Sequence, residues 1–176
     1  MLKGISSLEF STTIADPDLP DCPIVAVSKG FCDLTKFEPW ELIGRNCRLL
    51  QCDETDRNTT QKIKDYVLRV YRNDSCDEDL IVKLVNKRKT GEIFENLLHI
   101  SPLRLGRKLY FVGVQCDVTN KGIDPNVANH SDLVVQTAQR VAQGATNDIG
   151  VEVSKLVKNS SKYLRTNPKA KKLIRE

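Results

Sequence analysis

The chain has 176 residues, 40% of them hydrophobic and 28% charged, which suits one packed domain with an appendage and is too short for two full-size domains. No apolar run approaches the roughly 18 residues of a membrane-spanning helix, and we expect no signal peptide because the N-terminus lacks a long apolar stretch. The net charge of +4 is uneven, with +7 on residues 155–176 and −3 before them. A slightly acidic body is not typical of a nucleic-acid-binding core, so no contact with nucleic acid is expected.

Strand and helix patterns follow one another through the first 119 residues. Runs of β-branched and apolar residues between turn-forming residues predict five strands, at 10–15, 23–27, 80–86, 92–101 and 109–118. Two short helices are predicted at 30–36 and 39–43, and Thr55 or Asp56 can cap a longer one. Polar composition predicts a loop and two turns, at 72–79, 87–91 and 104–108.

The longer helix carries one apolar stripe, because Ile63, Val67, Val70 and Tyr71 recur at helical spacing. Two strands, a helical middle and a three-stranded meander predict an α+β domain, in which short helices cap one face of a five-stranded antiparallel sheet. A sheet face beneath a helical cap encloses a pocket, which favours a small-molecule sensor or carrier.

The pattern of strand-forming and turn-forming residues ends after residue 119. A loop-like stretch precedes a second helical pattern, which begins near Ser131 and ends before Pro168. Gly144 and Gly150 each lower the stability of this helix by roughly 1 kcal/mol. We expect a flank, a domain, and a linker with a C-terminal helical extension and basic tail, at 1–9, 10–119 and 120–176.

The apolar stripe of the C-terminal extension needs a partner, which is the sheet, a second copy of the chain or an effector protein. The alternative is that the extension is only part of a linker. The basic tail beyond Lys155 fits a solvated helix face, a contact with anionic lipid or part of a nuclear address.

The six cysteines and two histidines predict no metal site. The cysteine spacings contain no CxxC pair, and His99 and His130 match no metal-finger pattern. Because no export signal is found, we expect free thiols rather than disulfides. We also expect a cytoplasmic location, with a nuclear location as the alternative.

Residues 44–51 combine chemistry that is unusual for a core segment, with the sequence GRNCRLLQ. A single thiol stands among two carboxamides and two guanidinium groups. Carboxamides hydrogen-bond the edges of heteroaromatic rings, and arginine pairs with phosphate. The segment is therefore a candidate ligand site.

Three further carboxamides, Asn86, Asn96 and Gln115, lie on predicted strands among apolar neighbours. Residues two apart share a sheet face, so each amide is grouped with apolar or small residues, namely Leu84, then Leu98 and Ile100, then Phe111 and Gly113. Buried amides need hydrogen-bond partners, which a planar ring with imide-like donors and acceptors would supply. Gly113 would let such a ring approach the backbone closely.

The octapeptide at 44–51 resembles the signature of LOV domains, the blue-light, flavin-binding branch of the PAS fold found in phototropins. Residues 15–23 resemble the family's entry turn, and residues 96–102 and 110–119 resemble its last two strands. The resemblance covers roughly residues 10 to 119. It implies a PAS fold with bound FMN.

The resemblance implies a role for each matching polar residue. Cys47 matches the reactive cysteine, which forms a reversible cysteinyl-flavin adduct in blue light. Gln115 matches the glutamine whose amide rotates when the adjacent ring nitrogen gains a proton and which passes the signal to flanking helices. The phosphate would be held by Arg48 and Lys64, and the ribityl chain and polar ring edge by Asn46, Gln51, Asn86 and Asn96.

The resemblance implies apolar pocket walls, formed by Leu50, Ile63, Val67, Leu84, Leu98, Ile100 and Phe111. It also places Gly113 and Thr60 against the ring. Without the resemblance, Cys47 would be interpreted as an ordinary buried thiol and the leucines as plain core. His99 alternates away from the amide face and is interpreted as structural. The remaining cysteines are interpreted as ordinary small core residues, at positions 22, 32, 52, 76 and 116.

The sequence departs from the family pattern at several positions. Lys64 replaces an arginine, which keeps the charge but loses bidentate geometry and predicts weaker phosphate affinity. Thr60 replaces a valine and Leu98 a phenylalanine at the ring, Cys52 replaces a glycine, and Glu95 replaces a tryptophan on the outer face. The acidic loop near 72–79 is also longer than in phototropin-type domains.

These patterns predict a blue-light photoreceptor module rather than an enzyme. A flavoenzyme is disfavoured because no glycine-rich dinucleotide fingerprint is present. The other alternative is a non-photochemical PAS module for ligand sensing or dimerisation, which would need neither Cys47 nor the set of amides.

Overall fold

Five strands form one antiparallel sheet in the computed structural model, which describes residues 11–72 and 79–122. They are β1 (Thr12–Ala15), β2 (Ile24–Val27), β3 (Leu80–Lys87), β4 (Ile93–Leu105) and β5 (Lys108–Asp117). The order across the sheet is β2-β1-β5-β4-β3, so the first and last strands pair at its centre. The predicted α+β class and five-stranded antiparallel sheet are confirmed.

The hairpin between β4 and β5 is tighter than the sequence predicted. Arg104 and Leu105, which were assigned to a turn, continue β4 and pair with Leu109 and Lys108. Gly106 adopts a φ of +62°, which lets two residues reverse the chain. The predicted turn at 104–108 is therefore wrong at both ends.

The helices lie between β2 and β3, as predicted, and each begins at a side-chain cap. Helix α1 (Lys29–Thr35) follows Ser28, whose hydroxyl accepts a hydrogen bond from the Phe31 amide at 3.1 Å. Helix α2 (Pro39–Leu42) begins with a capping box formed by Glu38 and Glu41. A short 3-10 helix, Cys47–Leu50, comes next, and α3 (Arg57–Tyr71) completes the set.

Asp56, and not Thr55, caps α3. The Asp56 carboxylate accepts from the Thr59 amide at 2.7 Å, whereas the Thr55 hydroxyl donates to the Val85 carbonyl on β3 at 2.6 Å. Asp56 therefore caps the start of α3, and Thr55 attaches the residues just before the helix to the sheet.

The buried face of α3 differs from the predicted stripe. Val70 is buried, and Ile63 and Val67 are half-buried, but Tyr71 is 47% exposed and does not belong to the core. Tyr66 is buried instead, and its phenol donates to the Ile100 carbonyl at 3.3 Å. Tyr66 lies three residues after Ile63 and four before Val70, so helical spacing could have identified it as part of the stripe.

Two apolar clusters lie on the helical side of the sheet. Tyr66 and Val70 pack with Ile100, Leu109 and Phe111, and the Tyr66 and Phe111 rings lie 6.2 Å apart at a tilt of 59°. The second cluster joins the short helices to β2 and consists of Ile24, Phe31, Leu42 and Leu50.

The opposite face of the sheet carries His99 and Glu95, as their alternation from Asn96 and Leu98 predicted. His99 is fully buried, and its Nε2 lies 2.8 Å from an Asp79 carboxylate oxygen and 3.2 Å from the Ser101 hydroxyl. Glu95 pairs with Lys83 of β3 at 3.1 Å. These contacts suit a structural role for His99.

The expected C-terminal helical extension, the basic tail, Cys76 and most of the acidic loop lie outside the described residues, so these interpretations stay predictions. Within residues 11–72 and 79–122, no helix has the length and apolar composition needed to cross a membrane. The same part of the chain holds no cluster of three or more side chains suited to a metal ion.

Arg88 joins three parts of the fold at the end of β3. Its guanidinium pairs with Asp117 at the end of β5 and with Glu92 at 3.0 Å, and it donates to the Leu34 carbonyl of α1. It also lies 4.3 Å from the centroid of the Phe94 ring. With a side chain only 9% exposed, Arg88 works as a buried ionic clamp between the sheet and the first helix.

We predict that Arg88→Met lowers the free energy of unfolding by about 2 kcal/mol, because it leaves the partly buried Asp117 carboxylate without its cation. Urea denaturation measures the change. The control is Lys29→Met, which breaks the exposed Lys29–Asp33 pair and should cost no more than about 0.5 kcal/mol. Equal losses in the two variants would contradict the assignment of a clamp.

Candidate functional site

A cavity of about 590 Å³ lies between the inner face of the sheet, α3 and the 3-10 helix Cys47–Leu50. Every residue predicted for the site lines it: Asn46, Cys47, Arg48, Leu50, Gln51, Thr60, Ile63, Lys64, Val67, Leu84, Asn86, Asn96, Leu98, Ile100, Phe111, Gly113 and Gln115. The structure thus brings the predicted set together around one space. Their roles toward a ligand stay predictions.

The cavity also has lining residues that the sequence interpretation missed, namely Thr13, Ala15, Pro17, Leu19, Asp21, Cys22, Phe31, Gln61, Leu68 and Tyr71. Thr13 and Ala15 alternate on β1 opposite Gly113 and Phe111 of β5, so their strand pattern could have identified them once that pairing was known. The loop that follows β1 was interpreted only as a turn, yet it forms part of the cavity wall.

Cys47 is the first residue of the 3-10 helix, which Asn46 caps by accepting from the Arg48 amide at 3.0 Å. Burial raises the pKa of the Cys47 thiol to about 11, although a hydrogen bond with the Thr13 side chain and the charge of Arg48 oppose the rise. At neutral pH the group is therefore a protonated thiol and not a thiolate.

Asn46 also holds the loop that follows β1. Its amide nitrogen donates to the Asp21 carbonyl at 2.6 Å and lies 3.4 Å from the Cys22 carbonyl. Asp21 and Cys22 have φ values of 69° and 45°, a left-handed conformation that such tethering stabilises. Asn46 thus has a structural task in addition to the ribityl contact predicted for it.

The charged end of the cavity contains an ion pair that the sequence did not predict. Arg48 Nη1 lies 2.6 Å from an Asp21 carboxylate oxygen, and both side chains are more than half exposed. This hydrogen bond to Asp21 raises the pKa of Arg48. Lys64 lines the same cavity from α3. The predicted phosphate-binding cations therefore share their surroundings with a carboxylate.

Two amides form a buried pair on β3 and β4. Asn96 Nδ2 donates to Asn86 Oδ1 at 2.9 Å, and Asn86 Nδ2 donates to the Val85 carbonyl at 2.9 Å. Asn96 is 1% exposed, and its Oδ1 has no hydrogen-bond partner among the described residues. A buried acceptor without a donor is costly, so this atom suits an N–H group of a ligand.

Gln115 lies between two hydroxyl groups of the neighbouring chain segment. Its Nε2 donates to Thr13 Oγ1 at 3.3 Å, and its Oε1 accepts from Ser11 Oγ at 3.4 Å. The backbone amide of Gln115 also donates to the Ser11 carbonyl at 2.9 Å. The side-chain amide is thus held at both ends by groups that can either donate or accept.

Position 113 requires glycine because neighbouring side chains occupy the space that a Cβ atom would need, and because the residue lines the cavity. A Cβ atom at this position would lie 2.8 Å from Thr13 Oγ1 and 2.9 Å from Gln115 Nε2. The sequence predicted a glycine here for close approach of a ring. The structure adds that Thr13 and Gln115 already occupy the space a side chain would need.

The other described cysteines differ in how far they are buried. Cys22 lines the cavity, and burial, helped by nearby Cys47, raises its pKa to about 12. Cys32 and Cys52 are half-buried. Cys116 is exposed, so its interpretation as a core residue was wrong: it occupies the outer-face position next to Gln115, near the end of β5.

Comparison with known proteins agrees with this architecture. A family model described as a PAS domain matches residues 11–120. The structure of the LOV domain from the blue-light-activated histidine kinase of Erythrobacter litoralis is 34% identical, with a TM-score of 0.57, and the match covers 64% of this chain and 99% of that one. The chain belongs to the LOV branch of the PAS family.

Further relatives of this LOV domain include another solved LOV domain and a phototropin. The light-state structure of the Aureochrome1 LOV domain is 34% identical with a TM-score of 0.55, covering 73% of this chain and 91% of that one. Phototropin-1A of Oryza sativa subsp. japonica is 36% identical over 171 residues, which are 95% of this chain and 18% of that protein. The chain therefore spans less than a fifth of the length of this phototropin.

We predict that Gly113→Ala destabilises this LOV domain by about 1–3 kcal/mol, because the new methyl group overlaps Thr13 Oγ1 and the Gln115 amide. Thermal unfolding measures the loss. Adding Thr13→Ala removes one of the two overlaps, so the double variant should be more stable than the summed single losses imply. Strict additivity of the two changes would contradict the steric explanation.

Proposed function

We propose that this LOV domain is a blue-light photoreceptor module that binds FMN and responds through a reversible bond at Cys47. The observation that carries the proposal is the protonated Cys47 thiol in one cavity with the amides of Asn86, Asn96 and Gln115. Relatives named as phototropins and blue-light-activated histidine kinases support the light-sensing role. The proposed role is sensory, not catalytic.

The residues present fit a flavin mononucleotide. Apolar side chains such as Leu84 and Leu98 suit the faces of a planar ring, and the unpartnered acceptor Asn96 Oδ1 suits an imide N–H at its polar edge. Arg48 and Lys64 suit the phosphate. Bound FMN would supply blue-light absorption and, when excited, a ring carbon that reacts with a thiol.

Cys47 supplies the sulfur in the proposed light reaction. Its sulfur forms one bond to the ring, and the thiol proton passes to the adjacent ring nitrogen. Thermal reversal breaks that bond and returns the proton, so nothing is consumed. A raised pKa keeps Cys47 protonated in the dark, and light rather than a thiolate starts the reaction.

Gln115 converts the change at the ring into a change in the sheet. A ring nitrogen that gains a proton becomes a donor, and the amide must then rotate to present its oxygen. In the structure that amide is bound to Ser11 and Thr13, so rotation alters hydrogen bonds between β5 and β1. The start of β1 and the end of β5 meet at Gln115, so both flanking segments leave the sheet close to it.

The signal would then reach a second copy of the chain or an effector through the C-terminal extension. The alternative function, a non-photochemical PAS module for ligand sensing or dimerisation, is not favoured by the burial of a reactive thiol among ring-binding amides. An absorption spectrum separates the two.

We predict that the purified protein is yellow, bleaches in blue light and recovers in darkness, whereas Cys47→Ala keeps the colour and loses the bleaching. Absorption spectra before, during and after illumination measure this. The matched control is Cys32→Ala, a half-buried thiol that does not line the cavity and should leave bleaching intact. A wild-type protein that binds flavin without reversible bleaching would disprove the proposed light reaction.

We predict that Asp21→Asn tightens FMN binding about two- to fivefold, a range set by the exposure of the Asp21–Arg48 pair, while riboflavin, which lacks the phosphate, changes less than about 1.5-fold. Asp21 competes with the phosphate for Arg48, and asparagine tolerates the positive φ at this position. Quenching of flavin fluorescence in titrations of flavin-free protein measures both affinities. Asp18→Asn, which removes an acid outside the cavity, is the control and should preserve the wild-type ratio.

A further inference from the structure

The loop between β1 and β2, residues 16–23, forms one wall of the cavity, although its sequence predicts only a turn. Four of its residues line the cavity, namely Pro17, Leu19, Asp21 and Cys22. Asp21 and Cys22 have positive φ values, a conformation that residues other than glycine keep only when contacts hold them in it. The position of this wall therefore depends on the contacts that fix the loop.

Asp16, the residue that directly follows β1, organises the start of the loop. Its amide donates to the Pro23 carbonyl at 3.0 Å and closes the neck of the loop. Its carbonyl accepts from the Leu19 amide at 3.3 Å, and its carboxylate oxygen Oδ1 accepts from the Asp18 amide at 3.1 Å. Asp16 thus holds the loop through three of its groups, so a displacement of its side chain disturbs the cavity wall.

The Asp16 carboxylate is fully buried, and Lys108 supplies its opposite charge. Asp16 is 0% exposed, and its Oδ2 lies 2.7 Å from the Lys108 ammonium nitrogen. Partial burial of that ammonium opposes its charged form, but the pairing with Asp16 prevails and raises the pKa of Lys108. An ionised carboxylate removed from water is costly without a cation. Asp16 therefore keeps its place only while Lys108 reaches it.

Lys108 reaches Asp16 because β1 and β5 are neighbours in the sheet. Ala15 pairs with Phe111, so Asp16 lies one residue further along, beside the start of β5. Lys108 is the first residue of that strand, and its ammonium lies 5.3 Å from the centroid of the Tyr110 ring. The cation thus belongs to a strand of the sheet, whereas the anion belongs to the loop that forms the wall.

We propose that Lys108 is a positioning residue for the flavin: by holding the Asp16 carboxylate, it fixes residues 16–23 as a wall of the cavity and slows release of the bound ligand. The proposal rests on the proposed function. Lys108 is not among the described residues that line the cavity, so its effect reaches the ligand through the loop. The same contact holds the loop in the flavin-free protein, where it can be tested separately.

The chain offers a matched control in Lys83. Its side chain is 32% exposed, close to the 34% of Lys108, and it lies on the same outer face of the sheet. It pairs with Glu95 at 3.1 Å, but the Glu95 side chain is 37% exposed and stays solvated when its partner is removed. Lys83→Met and Lys108→Met therefore remove the same group, and only the second leaves a buried carboxylate without its cation.

The first experiment measures hydrogen exchange in flavin-free protein by mass spectrometry, with peptides that cover residues 16–23. In Lys108→Met these amides should exchange at least about fivefold faster, because the unpaired Asp16 carboxylate moves toward water and loosens the loop. Lys83→Met should stay within about twofold of wild type. Unchanged exchange of the loop in Lys108→Met would overturn the positioning role. If Lys108→Met does not fold, Lys108→Gln removes the same charge and keeps a donor.

A suppressor variant separates the ion pair from simple packing of the lysine stem on Tyr110. Asp16→Asn in the Lys108→Met background removes the unpaired charge, and its side-chain oxygen can still accept from the Asp18 amide. The double variant should therefore exchange its loop amides more slowly than Lys108→Met alone. Loss of packing on Tyr110 would not be repaired by a change at Asp16, so the absence of any rescue contradicts the proposal.

The second experiment follows release of FMN from loaded protein in darkness, through the rise of flavin fluorescence after dilution. Lys108→Met should release FMN about five- to tenfold faster, and the double variant should return toward the wild-type rate. Lys83→Met should again stay within about twofold. Release at the wild-type rate from Lys108→Met overturns the proposal. A wild-type protein that binds no flavin refutes the proposed function instead, and hydrogen exchange still decides whether Lys108 holds the loop.

Discussion

The pairing of β1 with β5 is the constraint on which the site depends. It places Thr13 beside Gly113 and Ser11 beside Gln115, although these residues are about a hundred positions apart in the chain. Without it, Gln115 would have no hydroxyl partners. The same pairing brings the start of β1 and the end of β5 together at Gln115.

The cavity contains one polar atom that is costly to bury. The Asn96 Oδ1 acceptor has no donor within the described residues, whereas the Asp21–Arg48 pair at the same cavity is more than half exposed. A buried acceptor of this kind reduces the stability of the ligand-free fold, and a ligand that donates to it returns stability through binding. The clamp at Arg88 and the apolar cluster around Tyr66 compensate elsewhere, since they attach the sheet to the helices without contributing a polar group to the cavity.

Sequence patterns predicted the strands and the positions of the helices because the apolar period and capping residues are local properties. They predicted the cavity residues of β3, β4 and β5 for the same reason, since side chains two apart on a strand share a face. Tyr71 was assigned to the core on helical spacing alone, but its side chain is 47% exposed and lines the cavity from the end of α3. Cys116 was assigned there on residue type alone, although it occupies the outer face. The loop after β1 gave no periodic signal, so Asp21 and Cys22 were missed as lining residues.

The residues proposed to carry the chemistry could be named from the chain alone: a thiol within GRNCRLLQ and amides on three strands stand out by type and spacing. Their surroundings could not be named in this way. The hydroxyl contacts of Gln115, the Asp21 carboxylate at Arg48 and the unpartnered oxygen of Asn96 arise where distant segments meet. Local sequence specifies which groups a segment offers, whereas the strength and direction of their interactions depend on distances and burial that exist only after the strands have paired.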